Sequence, residues 1–341
     1  MLYNYLKTAY RALWRYKLSS FINVMGLAIG MAAFLLIVQY VRYELSYDTY
    51  HDKSYRIFRV GTAFYREGTP TEYPATFLGL GPALKADFPE VEAFTRLGFR
   101  KSIVSYKENS FTENNLFFAD AGFLAMFSLQ MQPGSKGSLA APNEVILSQS
   151  TAHKYFGIEN PIGKTIKLRS KLFQQNVTVT GVFADLPPNS HILIDFLVSF
   201  STLVSHLGNE RLNGWDSLDH LTYILLAPGT DVQNLKRKLP AFIDKYLGKV
   251  WGEKPGLGIG PNRTAFMLQP LRDIHLHSTG QNEVESNGSY AVVQLLLIVA
   301  AFILLLALIN YINLSTARAM ERGKEVAVRK VIGARRVQLI A

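Results

Sequence analysis

The sequence predicts an α+β membrane protein in which two transmembrane helices flank a large mixed α/β domain. Three features of these 341 residues indicate this architecture. Two long runs, 18–41 and 286–317, contain no charged residue. The excess of basic residues lies at the two ends of the chain. Between the runs, strand-like alternation is interspersed with helix-like periodicity.

The composition excludes several classes of protein. Hydrophobic residues make up 48% of the chain and charged residues only 18%, below the ~25% of an average soluble domain. A disordered or fibrous chain is therefore excluded. The sequence has no cysteine, which rules out disulfides, cysteine metal sites and a thiol nucleophile.

The first element, over residues 1–17, is predicted to be an amphipathic helix lying at the inner membrane interface. Lys7, Arg11 and Arg15 are spaced by four and form one basic stripe, and Trp14 adds an interfacial aromatic ring. A solvated basic arm is the alternative interpretation.

The two charge-free runs predict transmembrane helices over 18–43 and 286–317. A helix that crosses ~30 Å of hydrocarbon needs ~20 apolar residues, and both runs are long enough. A buried core helix is the alternative for each, but such helices seldom stay free of charge for this length. The first run is too long for a signal peptide, and no small-residue cleavage site follows it.

Basic flanks predict the orientation, because Lys and Arg in short flanks stay cytoplasmic. Both ends of the chain are basic, so both are expected in the cytoplasm and the domain over 44–285 on the other side. The net charge of +10 raises nucleic acid as a partner. Membrane topology explains both basic clusters, so we expect the lipid bilayer as partner and no nucleic acid.

Four residues within the spans are predicted to pack helices together. Gly26 and Gly30 form a G-x-x-x-G motif, which lets two helices approach closely. Asn310 and Asn313 place amides in the inner third of the second span, where they bond to a neighbouring helix or face the headgroups. The sequence leaves open whether the partner helix belongs to this chain, and a substrate path is the alternative role.

The outside domain is predicted to contain two βαβ-like units sharing one sheet next to the membrane. One unit combines strands over 55–65 and 93–106 with a helix over 74–88. The other spans 221–271, with a helix over 231–247. Residues from about 110 to 215 are expected to form an inserted β-rich lobe.

The sequence carries no enzyme signature, and we predict no catalytic residue, no cofactor and no metal ligand. The run 157–165 is similar to a P-loop, but five residues separate its glycines where the motif requires four, and a strand pattern follows. Acidic and histidine residues over 48–52 are better explained by a solvated helix end than by a metal site. His275 and His277 alternate on a predicted strand, and two histidines alone make a weak site.

The stretch after the second run identifies a family. Residues 322–334 follow the pattern R-x-x-E-x-x-x-R-K-x-x-G-A, which resembles the cytoplasmic loop of FtsX-like and MacB-like ABC transporter permeases. Residues 46–60, 186–191 and 273–278 resemble the large permeases of this family from Bacteroidetes-type bacteria. The resemblance covers essentially the whole chain.

The resemblance implies the location and the partners. Residues 44–285 would be a MacB-like periplasmic core domain in the bacterial inner membrane, and a separate ABC ATPase would bind ATP. A second permease half or a permease dimer is expected, and a periplasmic or outer-membrane partner is possible within the family. Family members have at least four spans, so residues 318–341 would be a coupling loop and the start of a truncated FtsX-like permease domain.

The coupling loop is expected to be a short amphipathic helix that ends at Gly333, a natural C-cap. The resemblance assigns ATPase coupling to Glu321, Lys324, Glu325, Val328, Arg329, Lys330 and Ile332. Attachment to anionic lipid is the alternative for such a basic helix.

The expected function is that of a permease subunit, which couples ATP hydrolysis in a separate subunit to conformational change of the periplasmic domain. A two-span membrane receptor with a periplasmic sensor domain is the alternative. A receptor would continue into long heptads, which Gly323 and Gly333 interrupt.

Overall fold

The computed structural model describes residues 17–66, 68–99, 101–135, 137–170, 173–207, 214–251 and 264–333. The chain divides into two compact units. One unit comprises the chain ends, Met1–Leu45 and Tyr290–Ala341, and the other is the domain Ser46–Ser289. Lys7, Arg11, Trp14 and Arg15 of the predicted interfacial helix lie outside the described residues.

The described helices, in chain order, are α1 (Lys17–Glu44), α2 (Leu80–Asp87), α3 (Gly122–Met126), α4 (Gln149–Phe156), α5 (Phe200–Leu207), α6 (Val232–Trp251), α7 (Ile274–His277) and α8 (Tyr290–Val331). The described strands are β1 (Ile57–Arg66), β2 (Thr69–Tyr73), β3 (Ala75–Thr76), β4 (Val91–Phe99), β5 (Ser102–Tyr106), β6 (Asn109–Glu113), β7 (Leu116–Ala119), β8 (Glu144–Ser148), β9 (Thr165–Arg169), β10 (Gln174–Phe183), β11 (Phe196–Ser199), β12 (His220–Leu226) and β13 (Thr264–Pro270).

Helices α1 and α8 pack against each other and contain the two candidate membrane spans. The segments Val24–Glu44 and Tyr290–Asn313 are long and apolar enough to cross a bilayer. Helix α8 continues without a break through Val331, so its 42 residues extend about 60 Å. The predicted separation of the second span from a short loop helix is therefore wrong, because one helix contains both.

The half of the sheet formed by the ends of the domain has the strand order β13-β1-β12-β4, and each neighbouring pair is antiparallel. Helix α2 connects β1 to β4, and these two strands run parallel on either side of β12. Helix α6 connects β12 to β13, which run parallel on either side of β1. The two predicted βαβ units share one sheet, and each inserts a strand between the two strands of the other.

The inserted lobe extends the same sheet in the order β7-β11-β8-β10-β9-β5-β6, beginning where β7 pairs with β4. The single strand predicted over 93–106 is wrong. Strand β4 ends at Phe99, and β5 pairs with β9 and β6 in the far part of the lobe. The period-two pattern runs across both strands, so it does not reveal that the pairing partner changes.

Alternation along the strands gives the first half-sheet two different faces. Phe58, Ile224 and Leu268 point to the face that α2 and α6 cover, where they pack against side chains such as Leu84 and Phe242. Neighbouring residues point to the opposite face, which carries Ile57, Tyr223 and Leu225. This second face is covered by α3, by residues 186–194 and by residues 271–274. Segments that connect the strands of the domain therefore cover this second face of the sheet.

Candidate functional site

The predicted coupling residues lie on the last turns of α8, except Ile332, which directly follows its last residue. Lys324 and Lys330 are exposed, as are the apolar side chains of Val328 (59% exposed) and Ile332 (80%). Gly333 ends the helix with a φ of 93°, and its N–H donates to the carbonyl of Lys330 at 3.2 Å, which confirms the predicted C-cap. Glu321, Glu325 and Arg329 belong to the helix, and their side chains lie outside the described part of the structure.

The packing motif of α1 faces α8. A methyl group added at Gly26 would lie 3.9 Å from the Nδ2 atom of Asn310. One added at Gly30 would lie 3.7 Å from Cγ2 of Ile303 and 3.8 Å from Cβ of Ala307. Both glycines therefore lie where two helices of the same chain approach each other. Asn313, one turn further along, is exposed.

The segment that follows α1 is held by the loop over 187–191. The N–H of Asp48 donates to the carbonyl of Asn189 at 3.0 Å. The side-chain amide of Asn189 donates to the carbonyl and hydroxyl oxygens of Ser46, at 3.0 and 2.9 Å. The Tyr50 hydroxyl lies 2.9 Å from that of Ser190. Two of the stretches that carry the family resemblance therefore contact each other.

A row of buried polar side chains continues from this contact into the sheet. The Oδ1 atom of Asp48 lies 2.8 Å from Nδ1 of His191 and also accepts from the His191 backbone N–H. The Nε2 atom of His191 lies 2.8 Å from the Tyr223 hydroxyl. Tyr223 is fully buried, and the charge of nearby Arg59 acts on its hydroxyl. Burial raises the pKa of Tyr223, so this hydroxyl stays protonated.

Arg59 joins this row to the segment that precedes α8. It lies opposite both Tyr223 and Gln269 in the sheet, so the three side chains point to the same face. Its guanidinium donates to both carboxylate oxygens of Glu283, at 2.6 and 2.7 Å, and to Ser278 and Gln269 at 2.8 Å. Arg59 is 3% exposed. These bonds offset the cost of burying its charge.

We call these side chains the polar network. Its members are Asp48, His191, Tyr223, Arg59 and Glu283. Sequence reasoning missed it, although one signal was present. Arg59 is a charged residue inside a strand that otherwise points alternate apolar residues inward, and a fully buried arginine requires a carboxylate partner.

Two aromatic contacts fix the same segments further. Tyr47 stacks on His275 with ring centroids 3.4 Å apart. His51 accepts a hydrogen bond at Nδ1 from the N–H of Ser128, at 3.2 Å. Burial lowers the pKa of His51 to about 4, so it is neutral at pH 7.

The histidine pair has a different geometry from the one predicted. His275 and His277 lie on the single turn of α7, so the predicted strand is wrong. Pro270 ends β13, and the chain turns through Leu271–Asp273 into this short helix. Within the described ranges, no group of three or more His, Asp or Glu side chains is arranged to hold a metal ion.

A cavity of about 220 Å³ adjoins the polar network. Arg59 lies in its wall together with Glu72, Met267 and Thr279. Thr279 donates to the Glu72 carboxylate at 2.7 Å, which ties the segment before α8 to β2.

Comparison with known proteins identifies the domain that holds this network. The family model of the MacB-like periplasmic core domain matches residues 20–242. This chain belongs to the MacB-like permease family. Permeases of this family are transporter components that work with ABC ATPase partners. No curated protein matches this MacB-like chain.

Three solved structures resemble the MacB-like chain. A domain of a putative permease protein from Porphyromonas gingivalis is 23% identical with a TM-score of 0.55, over 72% of this chain and 98% of that one. The periplasmic region of MacB from Actinobacillus actinomycetemcomitans is 14% identical, with a TM-score of 0.45 over 64% and 90%. The extracellular domain of the noncanonic ABC-type transporter YknZ from Gram-positive bacteria is 16% identical, with a TM-score of 0.42 over 62% and 99%. The first of these structures shows that this chain and the Porphyromonas gingivalis domain share a fold.

Proposed function

We propose that this chain is a permease subunit that couples ATP hydrolysis by a separate cytoplasmic ATPase to conformational change of its periplasmic domain. The driven process would be efflux, lipoprotein release or another process of the cell envelope. The observation that carries the proposal is the continuity of α8. One helix joins the residues assigned to ATPase coupling to the residue that follows the domain Ser46–Ser289.

A continuous helix transmits displacement because its backbone hydrogen bonds resist bending and stretching. If the ATPase binds the last turns of α8, closure of the ATPase dimer moves these turns. The movement reaches Tyr290, where α8 begins, through the helix itself. Both chain ends would then be cytoplasmic, and ATP would be bound by the partner subunit.

The exposed end of α8 has the surface needed to dock a partner. Val328, Val331 and Ile332 are spaced so that they share one face of the helix. Their exposed fractions are 59%, 87% and 80%. Apolar residues at i, i+3 and i+4 are the anchors by which an amphipathic helix binds a hydrophobic groove.

Two matched substitutions test the docking face. Val328→Asp places a charge within it, whereas Val326→Asp places the same charge on the opposite side of the helix, where Val326 is 40% exposed. Both changes alter helix propensity equally. We expect Val328→Asp to weaken binding of the ATPase subunit by more than about tenfold, since burial of an unpaired carboxylate is costly.

The readouts are co-purification of the full-length permease with its ATPase and the permease-stimulated rate of ATP hydrolysis. Val326→Asp should leave both unchanged. Normal stimulation with Val328→Asp, and with Glu325 and Arg329 both changed to Ala, would show that this helix does not dock the ATPase.

A further inference from the structure

We infer that the polar network is the internal linkage that holds the two membrane-connecting segments of the domain in one fixed spacing. His191 and Tyr223 are its positioning residues. This inference rests on the proposed function, because a fixed spacing matters when displacement of one span must move the whole domain.

The polar network begins and ends close in sequence to the two membrane helices. Asp48 lies four residues after the last residue of α1, and Glu283 lies seven residues before the first residue of α8. These two residues are far apart in sequence, yet three side chains connect them. The segments that enter and leave the domain are therefore joined through its interior.

The linkage lies largely buried inside the domain. Its members Asp48, His191, Tyr223 and Arg59 are at most 8% exposed. The Asp48–His191, His191–Tyr223 and Arg59–Glu283 contacts are 2.6 to 2.8 Å long, and Arg59 lies directly opposite Tyr223 in the sheet. Hydrogen bonds shielded from water are stronger than exposed ones, and losing one partner leaves the next polar group unsatisfied. The network therefore favours one arrangement over a continuum of arrangements.

Apolar contact alone does not specify the direction in which the two segments are held. Side chains on the second face of the sheet, such as Leu225 and Ile274, contact the covering segments through dispersion and burial. Such contacts are not directional. Bidentate hydrogen bonds such as those of the Arg59–Glu283 pair do specify a direction. The two segments are also joined directly, because Tyr47 stacks on His275 and Arg272 donates to Ser54.

The test uses the full chain and measures the spacing directly. The natural sequence has no cysteine, so single cysteines at the exposed residues Asp52 and Gln281 can carry spin labels for pulsed electron resonance. We expect a single narrow distance distribution. With Tyr223→Phe, which removes only the shared hydroxyl, a second population should appear, with the equilibrium shifted by roughly tenfold.

Thr222→Val is the matched control. Thr222 is the neighbour of Tyr223 on β12, is fully buried, and its hydroxyl bonds to that of Thr76 at 2.6 Å. This change also deletes a buried hydroxyl from the same strand, and it should lower the melting temperature without changing the distance distribution. A narrow, unchanged distribution in Tyr223→Phe, or equal broadening in both variants, overturns the inference.

Hydrogen exchange on the unsubstituted protein tests the same linkage if Tyr223→Phe fails to fold. The amides of Asp48, His191 and Gln281 donate to Asn189, Asp48 and Glu72 respectively. If one linkage holds these segments, the three amides should exchange with the same free energy of local opening. Different free energies of local opening for the three amides would overturn the inference.

These experiments contain no ATPase, so they can fail separately from the proposed function. With the ATPase present, Tyr223→Phe should still bind it, because the substitution leaves the docking face on α8 unchanged. An unaffected ATPase rate in Val328→Asp would contradict the proposed function. A broadened distance distribution in Tyr223→Phe, measured alongside it, would still support the linkage.

Discussion

At the scale of single residues, the domain places several polar side chains where burial decides their ionisation. His51 is 4% exposed, and its Nδ1 atom accepts a hydrogen bond from a backbone N–H. A protonated ring would place two donors face to face at this contact. Desolvation and this hydrogen bond therefore both favour the neutral ring, whereas the charge of nearby Asp48 opposes them only in part.

We expect the domain to lose stability in acid through His51. Its folded-state pKa is about 4, below the ordinary 6.5, so the unfolded chain binds this proton first as the pH falls. The stabilisation is complete above about pH 6.5 and is lost toward pH 4, by on the order of 2–3 kcal/mol. Urea unfolding of the domain Ser46–Ser289 at a series of pH values measures it.

His51→Asn keeps an acceptor for the Ser128 N–H and cannot titrate in this range. Its unfolding free energy should vary less with pH between 4 and 6.5 than that of the natural domain. His153→Asn changes an exposed histidine and serves as the control. Identical pH dependence in the natural domain and in His51→Asn would contradict the assignment.

At the scale of elements, α8 joins a span to a polar helix because nothing in the local sequence ends it. Gly323 lies in its interior and costs roughly 1 kcal/mol relative to alanine, but its neighbours over 317–330 include Ala, Met, Glu, Lys and Arg, which favour a helix. The separate short helix was expected from the family resemblance of residues 322–334. Polarity determines which environment a helix occupies and does not end it.

The contact between α1 and α8 should depend on Gly30. Helix separation is set by the side chains at the contact, so Gly30→Leu should push the helices apart by on the order of 1–2 Å. Gly30→Ala should be tolerated, since its added methyl meets ordinary van der Waals distances. Spin labels at the exposed residues Phe21 and Tyr311 report the separation, with Ala28→Leu on an exposed position of α1 as the control.

At the scale of the whole molecule, charge and hydrophobicity make a single orientation favourable. Basic residues flank the cytoplasmic side of both spans in the proposed topology, and the large domain between them is close to neutral. The MacB-like domain matched over residues 20–242 is periplasmic by its family description. Both observations therefore support the proposed orientation.

Membrane-impermeant maleimide tests this orientation in intact cells of a producing strain. A single cysteine at Tyr55, which is 66% exposed, should be labelled from outside the inner membrane. One at Met320, which is 65% exposed, should be labelled only after the membrane is opened. The reverse pattern would falsify the proposed topology.

Local sequence alone determined the features that depend on composition and periodicity. The two spans, the helices that cover the sheet and the Gly333 cap each follow from residues close together in the chain. The helix predicted over 231–247 is Val232–Trp251, because its apolar residues repeat at the helical period over several turns. Short buried strands such as Leu116–Ala119 were missed, since a few consecutive apolar residues fit either a strand or a helix.

Only the tertiary structure decided the strand order, the position of β5 and the polar network. Each includes pairs of residues more than 50 positions apart, such as Asp48 with His191 and Arg59 with Glu283. No local pattern specifies which distant partner satisfies a buried charge. The cost of burying a charged group without a partner selects that partner when the chain folds.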